Sequence, residues 1–138
     1  MIKVWTNGCF DILHRGHIEM FRYAKSLGDE LVVGIDTDKK VKLDKGKDRP
    51  INNLQDRMLM LQSIKYIDKV ISFDSTLDLN ATVKWYRPDI MVIGSDWKDK
   101  DVVGSIYTDK LIFFDRIEGY STTNILESKW VKENIYQH

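Results

Sequence analysis

Two apolar patterns alternate along this chain, and that alternation leaves few folds open to it. Short runs rich in β-branched residues occur at Ile2–Trp5, Leu31–Ile35, Lys69–Ser72, Ile90–Ile93 and Leu111–Phe114. They are continuous rather than alternating in polarity, as strands covered on both faces are. Between them lie segments with helical spacing. Met20, Phe21, Ala24 and Leu27 share one face after Gly16, and Gly28 reads as the stop. Leu54, Met58 and Leu61 follow Asn53, a good N-cap, and Leu77, Ala81 and Trp85 repeat the pattern before the Arg87-Pro88 break. A last helix is predicted to start near Ser121–Thr123 and to run through Leu126, Trp130 and Val131. Strand–helix alternation of this kind predicts an α/β fold: an open parallel sheet of about five strands with helices on both faces. Such sheets bind ligands at the carboxyl ends of their strands, near the topological switch point.

The 138 residues suffice for one domain, expected to span 1–138. With 43% apolar and 30% charged residues the composition is that of a globular protein, not a disordered one. Lys+Arg and Asp+Glu both number 21, so no global basic field points to nucleic acid or an anionic membrane as partner. The single cysteine, Cys9, excludes an internal disulfide framework and fits a reducing compartment. No apolar run approaches the roughly 20 residues of a membrane span, and no secretory signal is visible. The expectation is a cytoplasmic protein. One stretch departs from compact connections: Asp38–Asn53 is polar, carries Lys39, Lys40, Lys42, Lys45 and Lys47, and reads as a mobile loop.

The chemistry is expected after the first strand, in Thr6-Asn7-Gly8-Cys9-Phe10-Asp11-Ile12-Leu13-His14-Arg15-Gly16-His17. His14 and His17 stand where a helix begins, and a helix N-terminus suits an anion. Two imidazoles there can donate hydrogen bonds to phosphate oxygens as charge builds on them. Gly8 and Gly16 allow a phosphate close to the backbone. Zinc is disfavoured, since the only other histidine is His138. Ser121, Thr122 and Thr123, before an amphipathic run, can cap a helix and also offer donors to phosphate. Arg116 upstream can add a fixed positive charge. No Ser/His/Asp triad is apparent. Asp96 and Trp97 follow the fourth strand, where a carboxylate can accept from a ribose or base and an indole can stack or simply anchor the loop.

Gly8–His17 resembles the signature of the cytidylyltransferase-type nucleotidyltransferases, and Gly119-Tyr120-Ser121-Thr122-Thr123-Asn124-Ile125 resembles their second motif. The resemblance covers nearly the whole chain and implies a Rossmann-like sheet. It also implies transfer of a nucleotidyl group from a nucleoside triphosphate to a phosphate monoester by direct in-line attack, with pyrophosphate released. His14 and His17 would then hold the transferring and leaving phosphates, with Mg²⁺ bridging the triphosphate, and Lys42 or Lys45 would close over it. Gly8, Cys9, Phe10, Gly16, Asp96, Trp97, Arg116, Ser121, Thr122 and Thr123 would line the nucleotide. Arg57 would face the acceptor phosphate, assisted by Arg49, with Asp11 beside them as a hydrogen-bond acceptor that orients the loop. A homodimer is implied as well, and Trp85, Tyr86, Trp130 and Tyr136 are spare apolar candidates for its surface.

Two branches of the family compete. Arg116–Thr123, Ser95-Asp96-Trp97 and Lys65-Tyr66-Ile67-Asp68 resemble the glycerol-3-phosphate cytidylyltransferases. Thr6-Asn7-Gly8-Cys9, Arg49-Pro50-Ile51-Asn52, Val103-Gly104-Ser105 and Thr122–Ile125 resemble the heptose-1-phosphate adenylyltransferases. The expectation leans to CTP and glycerol 3-phosphate, with ATP and heptose 1-phosphate as the alternative. A nucleotide-binding sensor and a purely structural interaction protein are the readings from other classes.

Overall fold

The computed structural model describes residues 1–115. All five predicted strands form: β1 (Lys3–Gly8), β2 (Glu30–Asp36), β3 (Lys69–Phe73), β4 (Ile90–Gly94) and β5 (Lys110–Phe114). They make one parallel sheet in the order β3-β2-β1-β4-β5. Four α-helices accompany them among the described residues: α1 (Arg15–Ser26), α2 (Asp38–Lys45), α3 (Leu54–Gln62) and α4 (Thr76–Tyr86).

The continuous apolar runs are explained by the two layers they serve. Val4, Leu31, Val33, Ile35 and Val92 pack with Met20, Phe21 and Ala24 of α1 and Leu61 of α3. Their strand neighbours Trp5, Val32, Met91 and Ile93 pack on the other face with Leu79, Val83 and Tyr86 of α4. Each such side chain contributes about 1.5–3 kcal/mol by leaving water, so neither face of a strand can be polar. Trp5 takes its space from Gly34 on β2, where a Cβ would stand 2.5 Å from the indole.

Between β1 and β4 the sheet reverses its winding. β1 pairs with β2 over its full length, from Lys3↔Glu30 to Gly8↔Ile35, whereas with β4 it registers only at Val4↔Ile90 and Trp5↔Met91. The two central strands therefore part toward their carboxyl ends. Gly94, at the end of β4, has open space where a side chain would be.

Three expectations need correction. In α4 the stripe Leu77, Ala81 and Trp85 faces solvent, Leu77 80% and Trp85 77% exposed, while Leu79, Val83 and Tyr86 are buried. Both stripes have helical spacing. The sheet selects the second because Tyr86 reaches the Trp5 ring (centroids 6.1 Å apart) and hydrogen-bonds Glu30 at 2.7 Å. Tyr86 is thereby removed from the candidate dimer surface. The expected loop Asp38–Asn53 is half helix: Thr37 caps α2, Val41 is fully buried, and Lys40 bridges Asp36 (3.6 Å) and Asp44 (2.6 Å). Its lysines look like a solvated run in sequence, yet Lys40 lies folded onto the sheet. Finally, Gly28 does not end α1 through a left-handed turn; Leu27 is a right-handed C-cap, and a Cβ on Gly28 would meet Ile2 and Val4 at 2.8 Å. The predicted last helix, with Arg116, Ser121, Thr122, Thr123, Trp130 and Tyr136, lies outside the described residues.

Candidate active site

The loop from β1 to α1 ends in a reciprocal cap built from the two histidines. His14 Nδ1 accepts from the Gly16 amide at 3.0 Å, and His17 Nδ1 accepts from the His14 amide at 3.2 Å. The rings stack with centroids 3.8 Å apart. A ring nitrogen that accepts carries no proton, so each neutral imidazole holds its proton on Nε2. Folding thus fixes the tautomer of both rings and puts the proton of each on Nε2, at a helix N-terminus. His17 stays neutral: burial, the neighbouring His14 and the charge of Lys45 lower its pKa from 6.5 to about 3.

Phe10 supports this pair from below. Its φ of +50° is uncommon for a non-glycine residue, and it turns the ring edge-on to His17 (5.4 Å) and Phe21 (5.3 Å). A Cβ at Gly8 would meet that ring at 3.1 Å. The Phe10 ring is buried beneath the histidine, so its part in the site is to position His17. Gly16 spends its amide on His14, which makes it part of the cap. Cys9 is half-buried; burial raises its thiol pKa, and its carbonyl is held by Arg57.

The acceptor-side expectations are redistributed. Arg57 is 1% exposed and already engaged: Nε donates to Asn52 O (2.9 Å), Nη1 to Cys9 O (2.9 Å) and Asp36 O (2.7 Å), and Nη2 to Asp38 Oδ1 (2.7 Å). It is a positioning residue that ties the ends of β1 and β2 to the Arg49–Asn52 segment, not an open phosphate clamp. Asp11 is likewise consumed. Its buried carboxylate accepts from Arg49 Nε and from the Ile51 and Asn52 amides, each at 2.8 Å, so it orients the loop and does not face an acceptor. Arg49 is different. Its Nη2 is buried without a hydrogen-bond partner, one of two such side-chain atoms among the described residues, the other being Thr6 Oγ1. A buried donor of this kind calls for an acceptor. Beside this cluster a cavity of about 260 Å³ is lined by Phe10, Asp11, Leu13, Asn52, Asp56, Arg57, Leu59 and Met60.

Lys45, in the last turn of α2, has its charge close enough to act on both Cys9 and His17, whereas Lys42 Nζ donates to Arg49 O at 3.2 Å. Of the two lysine candidates, Lys45 is the one the fold brings to the histidines. Asp96 and Trp97 form a single 3₁₀ turn, Ser95–Trp97, at the end of β4, with Trp97 49% exposed and Lys100 over its ring. Arg116, Ser121, Thr122 and Thr123 lie outside the described residues. Sequence reasoning marked Asn52 only as part of a branch motif and missed its bond to Asp11, and it missed Asp38 as the partner of Arg57; both partners are distant in the chain.

Of the branch motifs within the described residues, some border the site and some do not, and Ser95–Trp97, of the glycerol-phosphate branch, follows β4 at the carboxyl end of the sheet. Lys65–Asp68 precedes β3, at the opposite end of the sheet, where Asp68 accepts from the Leu31 amide and Lys25, both at 2.8 Å. Gly104, at φ +82°, packs its loop on Val83 of α4. Both segments serve the fold. Thr6–Cys9 and Arg49–Asn52 border the histidine pair and Asp11, and both resemble the heptose branch.

The profile of the cytidylyltransferase-like family matches residues 5–128. The chain is 48% identical over 127 residues to the bifunctional protein HldE of Helicobacter hepaticus, covering 91% of this chain and 26% of that protein. It is 47% identical over 123 residues to the HldE protein of Campylobacter fetus, covering 89% of this chain and 27% of the relative. It therefore spans about a quarter of the length of these curated relatives. Among solved structures, a lipopolysaccharide core biosynthesis protein from Thermoplasma volcanium superposes with a TM-score of 0.65 at 31% identity, covering 88% of this chain and 99% of that one. Pantothenate synthetase from Thermus thermophilus shares the fold, with a TM-score of 0.63 at 13% identity over 96% of this chain and 63% of that one.

Proposed function

The chain belongs to the cytidylyltransferase-like family, and from that premise we propose that it is an adenylyltransferase, transferring AMP from ATP to heptose 1-phosphate to give ADP-heptose and pyrophosphate. The observation that carries the chemistry is the reciprocal histidine cap, which presents two neutral Nε2–H donors at the carboxyl end of β1. The relatives named HldE, the ADP-heptose synthase, favour the adenylyl branch over the expected CTP and glycerol 3-phosphate. The site-bordering segments Thr6–Cys9 and Arg49–Asn52 favour it too.

In this reading an oxygen of the sugar phosphate attacks the α-phosphorus of ATP in line. The new P–O bond forms as the bond to the bridging oxygen breaks, and pyrophosphate leaves with those electrons. An ionised phosphate needs no general base, so the protein's work is positioning and charge stabilisation. His14 and His17 donate to the phosphate oxygens on which charge grows, and Lys45 adds positive charge at the same place. Arg49, whose buried Nη2 lacks an acceptor, replaces Arg57 as the acceptor-phosphate candidate, and its side chain must shift to reach that ligand. Mg²⁺ would be held by the oxygens of the triphosphate, the hard donors it prefers, since no group of three or more His, Cys, Asp or Glu among the described residues could hold it, and it would supply neutralisation of charge there. The family resemblance assigns Arg116, Ser121, Thr122 and Thr123 to the triphosphate, and Asp96 and Trp97 to the nucleoside.

No helix among the described residues is long and apolar enough to cross a membrane, and the reaction is assigned to the cytoplasm as part of this proposal. So is a homodimer, with exposed Trp85 as its candidate contact. Pyrophosphate release with Mg²⁺, crossing ATP and CTP against heptose 1-phosphate and glycerol 3-phosphate, tests the assignment. Turnover is expected with ATP and heptose 1-phosphate. Turnover only with CTP and glycerol 3-phosphate would transfer the chain to the other branch, and nucleotide binding with no turnover in any combination would make it a sensor.

A further inference from the structure

Asn7 has been a motif residue with no role so far. It follows Trp5 by two positions on β1, so its side chain leaves the same face of the sheet, the α4 face. The Trp5 indole Nε1–H, 2.9 Å away, is a donor only, so the Asn7 atom that meets it is Oδ1. That bond fixes the amide plane and turns the NH₂ group to the opposite side. Nδ2 meets no acceptor among the described residues, yet it is not among the buried unpaired atoms. It therefore opens onto accessible space. On the β4 side of the same strand the registered pairing stops at Trp5↔Met91, and the end of β4 at Gly94 has open space where a side chain would be.

His17 stands on α1, which covers the other face through Met20, Phe21 and Ala24. The histidine donors and the Asn7 amide thus flank the end of β1 from its two faces, with side-chain-free Gly8 between them. A nucleotide laid across this strand end with its phosphates at the histidines brings its nucleoside half to the α4 face. We propose that Asn7 is a nucleotide-positioning and specificity residue whose Nδ2 donates to a hydrogen-bond acceptor on the nucleoside, a ribose oxygen or a base atom, and that Trp5 holds it in that orientation. This rests on the nucleotidyltransferase reading and adds a contact to it.

Equilibrium binding of ATP, 2′-deoxy-ATP and CTP, without any acceptor, tests this separately from catalysis. Asn7→Asp keeps an oxygen for the Trp5 N–H and removes the donor. Its Kd for ATP should rise about tenfold, with an unchanged melting temperature. Trp5→Phe removes the N–H that orients Asn7 and should weaken ATP binding a few-fold, measured well below its own melting temperature. A ribose contact predicts that Asn7→Asp weakens ATP and CTP alike and changes 2′-deoxy-ATP little; a base contact predicts a changed ATP/CTP ratio. Asn7→Asp and Asn7→Ala proteins that bind ATP as tightly as the wild type would overturn the proposal. A wild-type chain that binds ATP but gives no turnover in the substrate grid would refute the proposed reaction and leave the Asn7 contact standing.

Discussion

The neutrality of His17 is the residue-level property from which the proposed chemistry follows. A charged imidazole has a proton on Nδ1 and cannot accept from the His14 amide, so protonation would cost the cap as well as the tautomer. With the folded pKa lowered to about 3 from 6.5 by burial, His14 and Lys45, the unfolded chain binds the extra proton over that interval and the folded one does not. Stability must then rise with pH between about 3 and 6.5, and be lost as pH falls through that window. Denaturation at pH 5 and pH 7 should show this slope, and His17→Asn, whose amide oxygen can take the Nδ1 hydrogen bond, should flatten it. His14→Ala and His17→Ala should each reduce pyrophosphate release by about 10²–10³ as lost transition-state donors. Wild-type turnover in either variant would remove that histidine from the mechanism. The histidine pair was visible in sequence by spacing and by position after a strand. Its tautomers were not, because they depend on which backbone amides meet each Nδ1.

At the scale of elements, α4 shows where periodicity stops being informative. Two stripes with helical spacing run along it, and only the sheet distinguishes them. Leu79→Ala should cost about 2–5 kcal/mol as a cavity in the core, whereas Leu77→Ala should stay within about 0.5 kcal/mol. Urea unfolding of the two variants decides which stripe is buried, and equal losses would contradict the observed packing. The segment Asp38–Asn53 makes the same point with charge in place of hydrophobicity. Its lysines suggested a solvated lid, but α2 is pinned by Val41 beneath it and by Lys40 between Asp36 and Asp44. Burial raises the pKa of Asp36, and Lys40 is the cation that faces it. The carboxylates that make burying Lys40 tolerable stand four residues to either side of it in the chain; what the linear pattern leaves open is that the sheet covers this side of α2.

Across the whole molecule, the site is assembled by joining segments far apart in the chain at one end of the sheet. Arg57 is the joint. Its guanidinium holds carbonyls from Cys9, Asp36 and Asn52 together with the Asp38 carboxylate. Arg57→Ala would leave three carbonyls without their donor and is expected to cost roughly 3 kcal/mol or more, seen as a large fall in melting temperature. Arg57→Lys should rescue little, since an ammonium cannot reproduce the planar fork. A variant that keeps wild-type stability and loses only affinity for the acceptor would restore Arg57 as a substrate ligand.

The sequence by itself determined the five strands, the helices α1, α3 and α4 between them, the family, and the two histidines at the start of α1. These are local properties: continuous apolar runs need two covered faces, and a cap needs only residues a turn apart. Tertiary structure alone decided which stripe of α4 is buried, that Lys40 lies folded onto the sheet, and that Arg57 orients the site while Arg49 keeps a buried nitrogen unpaired. It also decided where β1 and β4 part. Each of these depends on a neighbour brought close by folding, and hydrogen bonding and burial act through distances in space that residue spacing along a chain does not encode.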